Sequence, residues 1–376
     1  MTRRVVIAPD KFKGSLSSFG VCDAIADGIK SVDADAEIFS FPMADGGDGF
    51  ADVMKFYLQT ETVDCETVDP LGRSIRATYQ WNSNTKTAII EMAVASGLVL
   101  LRPEERTALK TSTYGTGLLI QNAINKGVKK IILGLGGSAT NDAGIGILAA
   151  LGFEFNDETG KLLKPCGENL LRINTIALPP RIPSVEFEIA CDVQNVLFGP
   201  NGAAYVYGPQ KGADHAAVLL LDNGLKHFSK ILRRQTGKDI SEIPGTGAAG
   251  GIAAGLMSFF DVELKKGIDL VIESSAIKKT IGSATIVITG EGKIDQQTLE
   301  GKVVSEVAAL AFANKIPVAA FCGILEANDA QLELLHVKYA HSLTDSSRSS
   351  QEAMNAAAEI LKKKAATFFK NFIGAS

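Results

Sequence analysis

The sequence predicts a two-domain α/β protein: a Rossmann-like parallel-sheet domain formed by both chain ends, and a mixed α/β domain inserted between them. Three observations carry that prediction. At 376 residues the chain exceeds what a single core usually holds. Near both ends, short apolar runs alternate with helical periodicities, the rhythm of strand–loop–helix units with parallel strands. In the middle, strands of alternating character are joined by turn signals, which predicts antiparallel pairing. The joints fall near 62 and 282. The discontinuous domain is then 1–62 plus 282–376, and the insert is 63–281.

The elements follow in order. Residues 4–9 read as a buried strand, and 19–31 as a helix on the spacing of Val21, Ile25 and Ile29. A strand at 37–43 runs into the loop ADGGDG, with a helix at 50–58. Residues 63–69, 74–81 and 86–91 read as strands separated by the turns DPLGR and NSNT. A helix at 115–126 precedes a strand at 130–133, a glycine loop, and a small-residue helix at 143–151. Residues 186–190 form a strand, 216–235 a helix, and 245–260 a Gly/Ala-rich helix. The opening rhythm returns with a strand at 285–289, the loop GEGKIDQQT and a helix at 303–313. Strands at 317–322 and 339–343 follow, with an amphipathic closing helix at 351–371.

Composition excludes several function classes. A net charge of −4, with no clustered Lys/Arg stripe, leaves no electrostatic footprint for nucleic acid. Five cysteines without C-x-x-C spacing predict reduced thiols and a cytoplasmic setting. The N-terminus lacks a signal peptide's apolar region, and no apolar run is long enough to span a membrane.

Five loops share one grammar: an apolar strand ends, then Asp, Lys, Gly and Ser/Thr cluster. Ligands collect at such carboxyl ends in open α/β sheets. The first holds Asp10, Lys11, Lys13 and Gly14, with Ser15 or Ser17 available to cap the next helix. The second sets Asp45 and Asp48 among three glycines, a carboxylate pair suited to Mg²⁺ or to accepting a proton. The third, residues 134–142, carries Gly136, Gly137, Ser138, Thr140, Asn141 and Asp142 after a strand, the setting of a phosphate site. The fourth presents Asp192 at a strand end as a ligand or base, followed by Gly-Pro turns and Lys211, a weaker candidate whose plainer reading is a solvated lysine. The fifth alternates Glu291, Lys293 and Asp295 around glycine, which suits a metal–phosphate or acidic-substrate site. No G-x-x-x-x-G-K-[ST] P-loop occurs, and the four histidines lack metal-motif spacing.

The third loop also satisfies G-x-G-x-x-A, and Asp157 lies about 20 residues beyond it, as a dinucleotide fingerprint asks. A nucleotide-cofactor oxidoreductase is therefore the competing enzyme reading. The crowd of polar side chains in the loop favours phosphoryl and metal chemistry over it. A sensor that binds without turnover is the third reading; the many loop carboxylates weigh against it.

Read together, APDKFKGSLSS, PMADGGDGF, DPLGR, IEMAVASGL, TSTYGTGLLI, GLGGSATNDAGIG, CDVQNVLFGPNGAAYVYGPQKGA, GTGAAGGIAAGL and TGEGKIDQQTLEGK occur in order from about residue 5 to about 345. This set resembles the bacterial glycerate kinase family that lacks a P-loop. The resemblance implies transfer of the ATP γ-phosphoryl to D-glycerate with Mg²⁺, by a cytoplasmic monomer or homodimer with its site in the cleft between two α/β domains. It also implies 2-phosphoglycerate as the product, with 3-phosphoglycerate the alternative within the family. The chain departs from the family at Lys293, where Arg is usual, at Val303-Val304 in place of Ala-Pro, and at Gln194-Asn195-Val196 in place of Asn-Pro. Lys293 keeps the charge without Arg's two-pronged grip.

Loops and resemblance together give the expected mechanism. Gly136, Gly137, Ser138, Thr140 and Asn141 receive the phosphates, with charge from Lys11, Lys13 or Lys293. Two or three of Asp45, Asp48, Asp192 and Asp295 hold Mg²⁺. Asp192 is the favoured acceptor of the glycerate hydroxyl proton, and Asp45 and Lys293 share the reacting centre. The glycerate carboxylate meets a lysine, with Lys293 in view, and the helix N–H groups at Gly115 and Thr116.

Overall fold

Strand β1 (Arg4–Ile7) is apolar on both faces, and Val5, Val6 and Ile7 are completely buried. A strand of that kind belongs in the middle of a covered parallel sheet. The first sheet runs β13–β12–β11–β1–β2, all parallel. Its other strands are β2 (Glu37–Ser40), β11 (Ile286–Ile294), β12 (Val318–Leu325) and β13 (Tyr339–Ser342). The computed structural model describes residues 3–47, 49–344 and 354–374. The chain pairs β1 with β2 on one side and returns as β11 on the other, so the strand order reverses between β1 and β11. That reversal is a topological switch point, where open sheets bind ligands.

The chain divides into two compact units, Met1–Asp45 with Ile268–Ser376, and Gly46–Gly267. In the first, the helix Ser18–Lys30 packs against the closing helix Ala357–Gly374. Val21, Ile25 and Ile29 point into a core shared with Leu361 and Phe369. Gly28 lets the two helices approach, since a Cβ there would overlap the Lys362 carbonyl. Of the two serines able to cap the first helix, Ser17 does so, accepting from Gly20 N at 3.2 Å.

The second unit holds a six-stranded sheet of order β10–β9–β6–β5–β4–β3. Strands β3 (Glu61–Val68), β4 (Ser74–Asn82) and β5 (Thr87–Glu91) pair antiparallel, as their alternation predicts. From β5 onward the sheet is parallel, through β6 (Lys130–Gly134), β9 (Glu186–Ala190) and β10 (Asp261–Lys265). Strands β7 (Glu154–Asn156) and β8 (Thr175–Ala177) form a separate hairpin. The helix Phe50–Leu58 belongs with this unit: Phe50 is buried, and Glu91 at the end of β5 accepts from Ala51 N at 3.1 Å.

Several elements depart from the sequence pattern, three of them beside the loops that carry charge or glycine. Strand β11 continues through the expected loop to Ile294, because Gly290 lets it pass close to the Phe321 carbonyl of β12. The Gly/Ala-rich helix is shorter, Ile252–Phe259, and the segment before it is bent, with Gly250 and Gly251 both at positive φ. Those glycines press on the backbone of Thr140, Asn141 and Ala143. Strand β10 is an element the sequence pattern left unassigned: DVELK alternates charged and apolar residues over only five positions at a sheet edge. The expected start of the closing helix, Gln351, lies outside the described residues. Among the described residues, no helix is long and apolar enough to cross a membrane, and all five cysteines are buried free thiols.

Helix–loop packing at Gly255 gives a direct stability test. A Cβ there would overlap the Ala143 carbonyl oxygen. Gly255→Ala is expected to lower stability by about 1–3 kcal/mol, although Ala is the better helix former. Gly20→Ala, in a helix with ordinary room for a Cβ, is expected to be neutral or stabilising. Thermal melts followed by circular dichroism check the pair.

Candidate functional site

In the first unit, three strand ends deliver charge to the switch point. Asp10 N donates to Gly290 O at 2.8 Å, and Met43 N donates to Pro9 O at 3.0 Å, so the loops after β1 and β2 and the far half of β11 are drawn together. Asp10 is 8% exposed and Glu291 5%. Burial, reinforced by the charge of Asp45, pushes the Asp10 carboxyl up to about 7, although its Oδ1 accepts from Lys11 N. Burial likewise pushes Glu291 up to about 7; Asp295 and Asp45 add to the rise, and the Thr298 hydroxyl, donating at 2.6 Å, opposes it. Asp45 and Asp295 are half-buried beside them.

The lysines of this unit are more open. Lys11 is half-buried and Lys13 exposed, and Gly292 lies against the backbone of Lys13. The Lys293 ammonium bridges Glu326 at 2.8 Å and Asp295 at 3.2 Å, which holds its pKa above the usual lysine range. An anion binding Lys293 would have to share it with those carboxylates. Asp48 lies outside the described residues. Among the described residues, no three His, Cys, Asp or Glu side chains are arranged to hold a metal ion.

The glycine loop of the second unit divides into an open front and a closed back. Gly136 and Gly137 are exposed, and Gly137 has a φ of 72°, which favours glycine. Ser138 is 8% exposed, whereas Thr140, Asn141 and Asp142 are completely buried. Asp142 organises the back. Its carboxylate accepts from Thr113 N (2.8 Å), Thr113 Oγ1 (2.9 Å), Gly144 N (3.1 Å) and Gly146 N (3.3 Å). Burial raises its pKa and these bonds oppose the rise. The following helix is only Ile145–Ala150, and its first N–H groups are taken by Asp142 and by Thr113 Oγ1, which accepts from Ile147 N at 3.0 Å. The helix N-terminus is thus capped from within, and the surface an anion would meet is the backbone at Gly136 and Gly137.

Asp192 follows β9, the neighbour of β6. It is exposed, and its Oδ1 accepts from Gly267 N at 3.0 Å. A Cβ on Gly46 would lie 3.0 Å from its Oδ2, and one on Gly136 would lie 3.7 Å from the Gly46 carbonyl. The loops at 46–47, 134–142 and 192 therefore meet at one edge of the sheet. Gly115 and Thr116 are both buried. Gly115 has no room for a Cβ beside the Val68 carbonyl, and the Thr116 hydroxyl is paired with Ser96 Oγ at 2.7 Å. Packing accounts for both positions.

Two features escaped the sequence reading. Lys211 is not solvated: it is 1% exposed, and its ammonium donates to the Thr140 carbonyl at 2.7 Å. Asp10 and Glu291 are the most strongly perturbed carboxyls of the first unit, and strand-end placement was the only sequence signal that they shared with their neighbours. The dinucleotide fingerprint lacks its acidic partner. The Asp157 carboxylate is spent on its own turn, accepting from Thr159 N, Thr159 Oγ1 and Lys161 N, and it follows the hairpin strand β7 rather than a strand of the parallel sheet.

The family model described as "Glycerate kinase family" matches residues 5–372. A glycerate kinase of Halalkalibacterium halodurans is 42% identical over 96% of both chains. A glycerate 2-kinase of Escherichia coli K12 is 42% identical over 86% of this chain and 85% of its own. A crystal structure provisionally described as glycerate kinase 2, from Salmonella typhimurium LT2, superposes with a TM-score of 0.89 at 36% identity, covering 100% of this chain and 99% of that one. The motifs, the doubled α/β architecture and these matches together establish that the chain belongs to the glycerate kinase family.

Proposed function

We propose that this protein is an ATP-dependent kinase that phosphorylates D-glycerate to 2-phosphoglycerate. The observation that carries the reading is 42% identity, over 96% and 86% of this chain, with proteins named glycerate kinase and glycerate 2-kinase. The 2-position rests on the relative named glycerate 2-kinase.

Phosphoryl transfer asks the protein for positioning and charge. In the second unit, the exposed backbone of Gly136 and Gly137 and the neighbouring Ser138 receive the phosphates, while Thr140 and Asn141 shape the loop from inside. Asp192, exposed at the edge of the same loops, accepts the proton of the glycerate hydroxyl. In the first unit, Lys11, Lys13 and Lys293 are the cations available to anionic groups of the substrates. The crowded carboxyls fit Mg²⁺: Asp10 and Glu291 are oxygen donors deprived of water and raised by their neighbours, and a cation would relieve that strain. Asp45 and Asp295 would hold the ion. Mg²⁺ keeps waters and takes only one or two carboxylates beside substrate phosphates, so it needs no three-residue cage. When bound, it supplies neutralisation of the phosphate charge.

The test is a coupled assay. Protein is incubated with Mg-ATP and D-glycerate, then enolase and pyruvate kinase are added with and without phosphoglycerate mutase. Signal without the mutase is expected and identifies 2-phosphoglycerate. Signal only with it would identify 3-phosphoglycerate, and no ADP from folded protein would end the kinase reading.

Asp192→Asn is expected to reduce kcat by about two to four orders of magnitude with the melting temperature little changed. A near-normal rate would remove Asp192 from the chemistry.

The raised carboxyls also set a pH dependence of stability. A group whose folded pKa exceeds its unfolded value stabilises the fold below the unfolded value and ceases to do so as pH rises through the folded value. For Asp10 and Glu291 that window runs from the ordinary carboxyl range up through about 7. Asp10→Asn is therefore expected to be more stable than the parent at pH 8, by on the order of a few kcal/mol, with the gain shrinking toward pH 4. Urea melts of both proteins at the two pH values check the sign.

A further inference from the structure

The sequence gives no reason for a lysine at position 211 to leave the surface, yet it is one of the largest side chains buried in the second unit. The turn that carries it is pinned on both sides. Gly208 N donates to Ala204 O, and Ala213 N donates back to Gly208 O. Gly212 has a φ of 83° and no room for a Cβ beside the Arg106 carbonyl. Pinned this way, the turn sends the side chain inward, where the ammonium meets the Thr140 carbonyl, 71 residues earlier in the chain.

We propose that Lys211 is a positioning residue for the phosphoryl transfer: its buried ammonium grips the Thr140 carbonyl from behind and so holds the open front of the glycine loop in its anion-receiving shape. The proposal rests on the kinase reading above. Three observations support it. A turn needs no buried cation, and taking an ammonium out of water is costly unless the charge is used. The side chains of Thr140 and Asn141 do not hold the loop, since the Thr140 hydroxyl and both polar atoms of Asn141 are buried without a hydrogen-bond partner. The bonds that fix residues 140–143 come from behind instead: Lys211 on the Thr140 carbonyl, Thr113 on Asp142, and the Gly250 carbonyl on Ala143 N. The Asp142 charge favours the ammonium form against burial, which pushes Lys211 down to about 7.

Lys211→Met keeps the volume and removes the donor. It is expected to fold, to lose about a hundredfold in kcat/KM for ATP, and to keep its KM for glycerate within about twofold. Hydrogen exchange at the amides of Ala139 and Ala143 is expected to quicken. Lys211→Ala is expected to regain activity with added propylamine, which replaces the missing atoms. If the Met variant fails to fold, Lys211→Ala measured with and without propylamine carries the same comparison. Wild-type constants for ATP in the Met variant would overturn the proposal. So would equal losses for both substrates that propylamine does not restore, or unchanged exchange. A parent protein that forms no ADP with glycerate fails the kinase reading instead, and the exchange comparison then still decides what Lys211 holds.

Discussion

The buried carboxylate of Asp142 is the interaction on which the second unit's loop architecture depends. A carboxylate with no access to water survives only if its oxygens are filled. Here four donors fill them, two from Thr113 and two from the backbone at Gly144 and Gly146. That arrangement ties the start of the helix Tyr114–Asn125 to the start of the helix Ile145–Ala150. It also sets where the glycines must be. Gly146 lies too close to Thr113 and Tyr114 for a Cβ, and Gly250 too close to the Thr140 carbonyl. These glycines thus serve close backbone packing around one acid, while the exposed Gly136 and Gly137 leave backbone open at the front.

The first unit treats its acids in the opposite way. Asp10 and Glu291 are as enclosed as many core residues, but few donors reach them and other carboxyls stand nearby. A fold gains nothing from that crowding, and perturbed carboxyls at a topological switch point are the mark of a site rather than a scaffold. Asp142 accepts from four donors; Asp10 accepts from Lys11 N and Glu291 from the Thr298 hydroxyl, so more of their oxygen capacity is left over. Burial alone does not separate the two roles. The count of donors does.

Most strands and long helices were legible because their signals are local. Apolar runs gave β1 and β6, period-two alternation gave β3 and β4, and helical spacing gave 303–313, which matches Val303–Ala313. The failures have long-range causes. Strand β11 outran its expected end because the carbonyls of β12 lay within reach of a glycine-rich segment. The helix before β10 was truncated by contact with a loop about a hundred residues earlier. At the site, strand-end placement found the loops, but exposure sorted the residues within them. Thr140 and Asn141 looked like ligand contacts and are interior; Lys211 looked solvated and is buried. Burial of a single polar side chain depends on what the rest of the chain brings over it, and no local pattern carries that information.

The same distinction bears on how an anion would be held. A strand, a glycine turn and a helix invite the inference that the helix N-terminus does the binding. That inference needs free N–H groups, and here they are used by Asp142 and Thr113. The helix is also too short to add much of a dipole, since its effect is confined to aligned turns. What remains is a loop whose back is clamped by an ammonium and a carboxylate and whose front is bare backbone. Binding there would come from fixed amide groups. Such an arrangement gains from rigidity more than from local charge, because a preorganised donor pays no reorganisation when charge develops on the phosphates. A buried Lys211 makes sense in those terms: a cation at the surface would attract the phosphates, whereas a cation behind the loop keeps in place the backbone that meets them.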